Sequence, residues 1–191
     1  MHRRYHAALS FVVVSTLSSL CLAGPFSQVV VFGDSLSDTG STLAYTSTLN
    51  AASFGLVARR PVGPRYATGR WSNGVGVNYA ANDLANSSQA LVWHERLADQ
   101  LGAQRAISVN ATGTPANRNN FACGAATSGA GRVTQSVPLV GTFPLVDNMG
   151  HQVNTLFGAS SATMRSDTLY SFWGGANDIR NAIIDGVATT P

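Results

Sequence analysis

The chain has 191 residues, of which 45% are hydrophobic and 11% are charged, and its formal net charge is +3. These values exclude an intrinsically disordered protein and indicate about one globular domain. The basic side chains apart from histidine are all arginine. The lack of lysine therefore excludes a P-loop, a Ser-x-x-Lys nucleophile pair and a Schiff base.

The N-terminus is typical of a secretory signal peptide. Arg3 and Arg4 precede an apolar run over residues 11–22, and Ala23 fits a cleavage site. The run is too short to span a bilayer comfortably, and an uncleaved anchor is the alternative interpretation. We therefore expect residues 1–23 to be a signal peptide, and the exported domain to begin at residue 24.

Removal of the signal peptide would change both the charge and the cysteine content. Ten arginines would remain against nine acidic residues, which gives no basic surface for a nucleic acid partner. Cys21 would leave with the signal, so Cys123 would be alone and no internal disulfide could form. A buried, small hydrophobic role is the expected one for Cys123, with an intermolecular disulfide as the alternative.

The first half of the domain predicts one strand and two helices. Residues 29–32 (Val-Val-Val-Phe) form a continuous apolar run before turn residues, which predicts a strand buried on both faces. Residues 36–74 have weak periodicity and are interpreted as a long loop with at most one short helix. Helices are predicted over residues 75–84 and 90–101, and Gly102 ends the second one.

The second half adds further strands and helices. A short strand end is predicted at residues 120–123, a loop over residues 132–146, and a helix over residues 147–157 with an aspartate as its cap. A strand at Thr168–Trp173 and a helix over residues 177–187 follow. Strands that alternate with helices predict an α/β fold with a parallel sheet covered on both faces.

Ser35 is the first candidate functional residue. It follows the predicted strand at 29–32 and would lie at the carboxyl end of the sheet, where ligands bind in open α/β folds. A helix beginning just after it could stabilise an oxyanion with its N–H groups. Taken alone, residues 33–37 (Gly-Asp-Ser-Leu-Ser) fit an ordinary turn better, and Ser37 excludes the Gly-x-Ser-x-Gly elbow.

Four ordered stretches change that interpretation. They are residues 31–40 (Val-Phe-Gly-Asp-Ser-Leu-Ser-Asp-Thr-Gly), 69–74 (Gly-Arg-Trp-Ser-Asn-Gly), 120–126 (Asn-Phe-Ala-Cys-Gly-Ala-Ala) and 173–179 (Trp-Gly-Gly-Ala-Asn-Asp-Ile). Together they closely resemble the sequence blocks of the GDSL esterase/lipase family, the SGNH hydrolases. The resemblance extends over about residues 29–187 and implies a flavodoxin-like, three-layer α/β/α fold with a parallel sheet.

The resemblance also implies roles for individual residues. Ser35 would be the nucleophile, and the oxyanion hole would consist of the Ser35 N–H, the Gly124 N–H and the Asn177 side-chain amide. The family commonly has a second glycine where this chain has Ala125, and Ala125 is the adjacent alternative to Gly124 as donor. An alanine is expected to serve there only if its φ is negative.

The general base is the main departure from the family. Its members carry an Asp-x-x-His block far toward the C-terminus, and no such block occurs in these 191 residues. The domain is therefore expected to be C-terminally incomplete. His94 and His151 have no aspartate three residues before them, and surface or packing roles fit them better. Structural hydrogen bonding is expected of three aspartates in the blocks: Asp34, Asp38 and Asp178.

The resemblance implies an exported serine ester hydrolase that forms an acyl-enzyme on Ser35. Its substrate would be a small-molecule or lipid ester, with contact to a lipid surface but without a cofactor, a metal or a nucleic acid. The alternative is a truncated, catalytically inactive domain that at most binds acyl or carbohydrate ligands. A nucleotide-binding flavodoxin-like protein would need a phosphate-cradling loop, which the sequence does not show. The sequence indicates neither the particular ester nor the oligomeric state.

Overall fold

The computed structural model describes residues 25–61, 69–70, 91–108, 118–158 and 163–188. The signal peptide predicted for residues 1–23 and the helix predicted over residues 75–84 lie outside the described residues. Most of the block at residues 69–74 also lies outside them. Within the described ranges, no helix has the length and apolar character that a membrane span requires.

Two strands form the centre of the fold. Strand β1 (Gln28–Gly33) pairs in parallel with β4 (Thr168–Trp173), in a register that runs from Gln28 opposite Thr168 to Gly33 opposite Trp173. The side chains from Val29 to Phe32 are almost completely buried, as expected for a strand covered on both faces. Both predicted strands and their parallel pairing are confirmed.

The other edge of β1 is also occupied. Isolated parallel bridges join Gln28 to Gln104 and Val31 to Asn120. The Phe121 N–H donates to Val31 O at 2.7 Å, and the following backbone stays beside the end of β1. The strand end predicted at residues 120–123 therefore runs along β1, although only one bridge is formed there. β1 therefore lies between β4 and the segment at residues 120–123, and both extend to the turn that follows β1.

Helices cover both faces of this parallel pair. Helix α2 (Trp93–Leu101) packs on one face and α3 (Met149–Phe157) on the other. Alternate β1 side chains divide between them. One cluster contains Val29, Val31, Ala98, Ala106 and Ala122, and the other contains Val30, Phe32, Phe121, Val153, Leu156, Phe157 and Tyr170. The fold is α/β with a parallel sheet, as predicted.

Two further helices complete the described chain. Helix α1 (Ser41–Ala52) has 12 residues and lies in the region interpreted as loop with at most a short helix. Helix α4 (Ala176–Ala188) follows β4 almost where predicted. The predicted stop of α2 is confirmed, because Gly102 adopts a left-handed φ of 64° at its C-terminus.

The prediction of a loop over residues 132–146 is wrong. Strands β2 (Arg132–Val137) and β3 (Gly141–Asp147) form an antiparallel hairpin there. Most of its side chains are exposed, so it lacks the alternation of buried and exposed residues that normally indicates a strand. Pro144 and a register shift between Val133 and Thr134 further disguise the pattern.

Candidate active site

Ser35 lies in the turn that directly follows β1. The Asp34 N–H donates to Trp173 O at 3.2 Å, and the Asp34 side chain accepts the Leu36 N–H at 3.0 Å. Gly33 is required at the start of this turn, because a Cβ there would lie 2.6 Å from Trp173 O. The turn is thus held against the end of β4, and Ser35 is at the carboxyl edge of the parallel pair.

Three side chains make polar contacts with Ser37 and hold the turn in place. The carbonyl oxygen of Ser37 lies 2.9 Å from His94 Nε2 and accepts the Asn120 amide at 3.0 Å. The Ser37 hydroxyl accepts the Trp93 indole N–H at 3.1 Å. Buried polar groups that are satisfied in this way fix a unique local conformation. The start of α2 and the strand end at Asn120 therefore determine the path of the chain after Ser35.

His94 belongs to this support. Its side chain is completely buried, and Nδ1 has no hydrogen-bond partner while Nε2 faces Ser37 O. Burial lowers the pKa of His94, because the charged imidazolium is poorly solvated there. The ring is therefore neutral near pH 7 and packs under the turn. This agrees with the packing role that the sequence favoured over catalysis.

Asp38 organises the segment between the turn and α1. Its buried carboxylate accepts N–H groups from Gly40, Ser41 and Thr42, and also the Thr42 hydroxyl at 2.5 Å. Burial raises the pKa of Asp38, although these donors oppose the effect. A fifth donor is the Gly124 N–H at 2.8 Å. Asp38 thus has the structural role expected of it, and it joins the first block to the third.

The Gly124 N–H is already hydrogen-bonded to two side-chain oxygens. That N–H donates to Asp38 Oδ2 and to Thr42 Oγ1, at 2.8 and 2.7 Å. Because this N–H is already hydrogen-bonded to both oxygens, it is not a free donor for the oxyanion role that the resemblance implied. The next residue differs, because Ala125 is exposed and its N–H has no acceptor among the described residues.

The backbone of Ala125 does not meet the condition expected from the sequence. Its φ is 66°, in the left-handed region, whereas an alanine was expected to serve as donor only with a negative φ. An L-residue can occupy this region at a cost of roughly 1–2 kcal/mol when its surroundings hold it there. The direction of each N–H depends on φ, which the residue types alone did not reveal.

Asn177 lies in the first turn of α4, directly after β4. Its side-chain amide donates to Ala126 O at 2.9 Å, which ties it to the residue after Ala125. The amide group carries a second hydrogen that this bond does not use. Ser35, Ala125 and Asn177 therefore follow or flank neighbouring ends of the parallel pair, as the sequence predicted for the first and last.

Asp178 has a structural partner as well. Its carboxylate accepts the Ser128 N–H at 3.0 and 3.1 Å and the Ser128 hydroxyl at 2.7 Å. The side-chain hydrogen bond and then the backbone hydrogen bond from Ser128 lower the pKa of Asp178. Structural hydrogen bonding is thus observed for Asp34, Asp38 and Asp178.

A cluster around Asp147 was not predicted. The carboxylate is buried and accepts the Tyr45 hydroxyl at 2.6 Å and the Arg132 Nε at 2.5 Å, and His151 Nε2 lies 3.9 Å away. Burial would raise the pKa of Asp147, but the Arg132 and Tyr45 donors outweigh it and hold the pKa low. The cap predicted at Asp147 is wrong, because Asn148 occupies the N-cap position of α3 and makes no side-chain capping bond.

A second ion pair explains one residue of the block at 69–74. The Arg70 guanidinium binds the Glu95 carboxylate through two bonds of 2.6 and 2.8 Å, and Glu95 is nearly buried. The same carboxylate accepts the Val92 N–H at the start of α2. Glu95 is the only glutamate in the chain, and that rarity was the signal that could have pointed to it.

Cys123 is completely buried, as predicted. Its sulfur lies 3.4 Å from the Thr42 hydroxyl, and burial raises the pKa of the thiol to about 12. A thiol in this state is a poor nucleophile. No group of three or more histidine, cysteine or acidic side chains that could hold a metal occurs in the described part of the chain.

The described core is an α/β fold with a parallel strand pair, and Ser35 and Asn177 follow its two strands. The family described as GDSL-like Lipase/Acylhydrolase matches residues 29–190 of the chain. The chain therefore belongs to this family, in agreement with the resemblance of its four sequence blocks. A search of curated proteins gives no significant match.

Proposed function

We propose that the chain hydrolyses an ester through covalent catalysis by Ser35. The serine oxygen would attack the ester carbonyl, the alcohol would leave, and water would release the acid from the acyl-enzyme. One observation carries the proposal. The Asp34 N–H donates to Trp173 O, and this bond between the turn that contains Ser35 and the strand end before Asn177 supports a shared site. Small-molecule and lipid esters are the substrates proposed.

The oxyanion hole that we propose uses the N–H groups of Ser35 and Ala125 and the amide of Asn177. Ala125 replaces Gly124 in this role because the Gly124 N–H is occupied by Asp38 and Thr42. These donors carry no net charge that would have to be desolvated. The loss of one such donor typically costs roughly 3–4 kcal/mol in the transition state.

A general base is needed for a serine to react near neutral pH. His94 faces Ser37 O, and His151 lies beside Asp147, so both have other associations in the structure. We propose that the base is supplied by an Asp-x-x-His segment of the kind found in the family, outside these residues. If no such segment acts, the chain is the inactive ligand-binding domain that forms the alternative.

Export is a further part of the proposal. The arrangement of Arg3, Arg4, the apolar run and Ala23 supports cleavage before Gly24. N-terminal sequencing of material collected outside the producing cells would give Gly24 as the first residue. Material that retains Met1 would contradict cleavage at this position.

A chemical rescue experiment tests whether Ser35 is the nucleophile when the chain itself supplies no general base. Residues 24–191 are assayed with short-chain p-nitrophenyl esters over a range of imidazole concentrations, because free imidazole can replace a missing histidine. The longest polypeptide encoded in the same reading frame is assayed in parallel. After subtraction of the protein-free imidazole rate, we expect little turnover of residues 24–191 without imidazole, and a saturable increase with it that Ser35→Ala abolishes.

Matched variants separate the outcomes. Ser136→Ala removes an exposed hairpin hydroxyl and should match the wild-type rate, whereas Asn177→Ala should lower kcat roughly 10²–10³-fold. Equal rates for the wild type and Ser35→Ala under every condition would reject the nucleophile and favour the ligand-binding alternative. Full activity without imidazole would instead make His94 and His151 the base candidates, to be distinguished by alanine substitutions.

A further inference from the structure

The segment over residues 124–128, here called the oxyanion loop, is anchored on both sides of Ala125. On the N-terminal side, the Gly124 N–H is held by Asp38 and Thr42. On the C-terminal side, the Ala126 carbonyl accepts the Asn177 amide at 2.9 Å. Ala125 itself projects between these anchors with a φ of 66°.

A second link between the oxyanion loop and α4 lies three residues after Ala125. Both the N–H and the hydroxyl of Ser128 donate to the Asp178 carboxylate, with the hydroxyl bond at 2.7 Å. Asp178 is the residue after Asn177, so neighbouring residues of α4 hold both ends of the segment 126–128. The bonds involve a charged acceptor, and such hydrogen bonds are shorter and stronger than neutral ones.

We propose that Ser128 and Asp178 are positioning residues of the active site. Their hydrogen bonds hold the oxyanion loop against the first turn of α4, so that the Ala125 N–H and the Asn177 amide converge on one oxygen atom. This inference rests on the proposed function. It assigns Ser128 a role in catalysis that neither the family blocks nor the nucleophile chemistry required.

Two physical reasons support a local positioning role. A non-glycine residue with positive φ persists only where its surroundings over-determine it, and Ser128 supplies anchors that Gly124 alone cannot. Ser128 is also exposed and belongs to none of the buried apolar clusters. Its removal should therefore alter the alignment of the donors without loss of the core.

The test compares kcat and KM for a p-nitrophenyl ester, at saturating imidazole and corrected for the protein-free rate, in the wild type and four variants. The variants are Ser128→Ala, Ser128→Thr, Asp178→Asn and the double variant Ser128→Ala/Asp178→Asn, and Ser136→Ala is the matched control. A misplacement of about 1 Å can cost roughly 100-fold, so we expect kcat to fall about 10- to 100-fold with little change in KM. Ser128→Thr keeps both donors and should restore kcat. The double variant should be no slower than the slower single variant.

Other outcomes would overturn the proposal. They include an unchanged kcat in Ser128→Ala while turnover still depends on Ser35, a change in KM alone, or a loss of folding in the urea-unfolding curve of that variant. If the wild type shows no Ser35-dependent turnover, the proposed function fails, and amide hydrogen exchange tests separately whether Ser128 and Asp178 hold the oxyanion loop. Exchange over residues 124–128 should then be faster in Ser128→Ala than in the wild type, and equal rates would show that these hydrogen bonds do not hold the loop.

Discussion

At the scale of single residues, the burial of His94 makes the stability of the fold depend on pH. Burial lowers its pKa in the folded protein; Glu95 raises the pKa and Arg70 lowers it further. In the unfolded chain the pKa returns to about 6.5. Stability is therefore fully present above that value and is lost as the pH falls below it, because the unfolded state binds the proton more tightly.

A glutamine at position 94 would remove this dependence. His94→Gln keeps an amide N–H that can donate to Ser37 O but cannot be protonated. The urea midpoint of the wild type should fall between about pH 7.5 and about pH 5.5, and that of His94→Gln should fall less. His151→Gln controls for the removal of a histidine elsewhere. Identical pH slopes in the wild type and His94→Gln would show that His94 is not the group responsible.

The sequence predicted where the candidate site residues lie along the strands, but not the directions in which their backbone N–H groups point. Ser35 and Asn177 follow strands, and a strand end is a position that apolar runs reveal directly. The choice between Gly124 and Ala125 depended on which N–H faces inward. The Gly124 N–H faces inward because it donates to Asp38, which is 86 residues away in the chain. No local sequence pattern indicates this contact.

At the scale of elements, the β2–β3 hairpin is attached to the domain through Asp147. The carboxylate at the end of β3 binds Arg132 at the start of β2 and the hydroxyl of Tyr45 on α1. The side chain of Asp147 is 2% exposed, whereas that of Arg132 is 37% exposed. An unsatisfied buried partner is costly, so this one residue has a large influence on the position of the hairpin.

Asp147→Asn should therefore destabilise the protein more than the loss of a surface charge. We expect a decrease of about 2 kcal/mol in the free energy of unfolding, and about 1 kcal/mol for Tyr45→Phe. Asp99→Asn is the control, since Asp99 and Arg105 form an exposed ion pair whose loss should cost less than about 1 kcal/mol. Urea titrations would measure all three. A similar loss for Asp147→Asn and Asp99→Asn would contradict this account.

The elements predicted correctly are those with buried apolar side chains. β1 and β4 were located by continuous apolar runs, and α2 by its apolar face and Gly102. The hairpin escaped prediction because its stability depends on Asp147 and Tyr45, 102 residues apart in the chain, and not on a local pattern.

At the scale of the whole molecule, one side of the sheet presents an apolar surface. Among the described residues, β4 pairs with β1 alone. Large hydrophobic side chains near its outer side are exposed, namely Phe172, Trp173, Ile179, Ile183 and Ile184. Exposed large apolar side chains on a strand and the helix that follows it favour association, and an unpaired strand edge adds to that tendency.

Residues 24–191 should therefore associate at higher concentrations, and Ile183→Glu should reduce this association. The side chain of Ile183 is 61% exposed, so the charge should have little effect on the urea midpoint. Leu139→Glu places the same charge at the exposed tip of the hairpin and serves as the control. Light scattering during size-exclusion chromatography would measure the mass. An equal reduction by both variants would indicate a general charge effect and not this surface.

The pairing of β1 with β4 has a kinetic consequence. Gln28 lies opposite Thr168, so the two strands can meet only after a loop of about 140 residues has closed. Parallel, long-range pairings of this type are slow to form compared with local helices and hairpins. The serine turn and the asparagine amide are aligned by that same pairing. The proposed activity should consequently be among the last properties acquired as the chain refolds, well after most of its helical content has appeared.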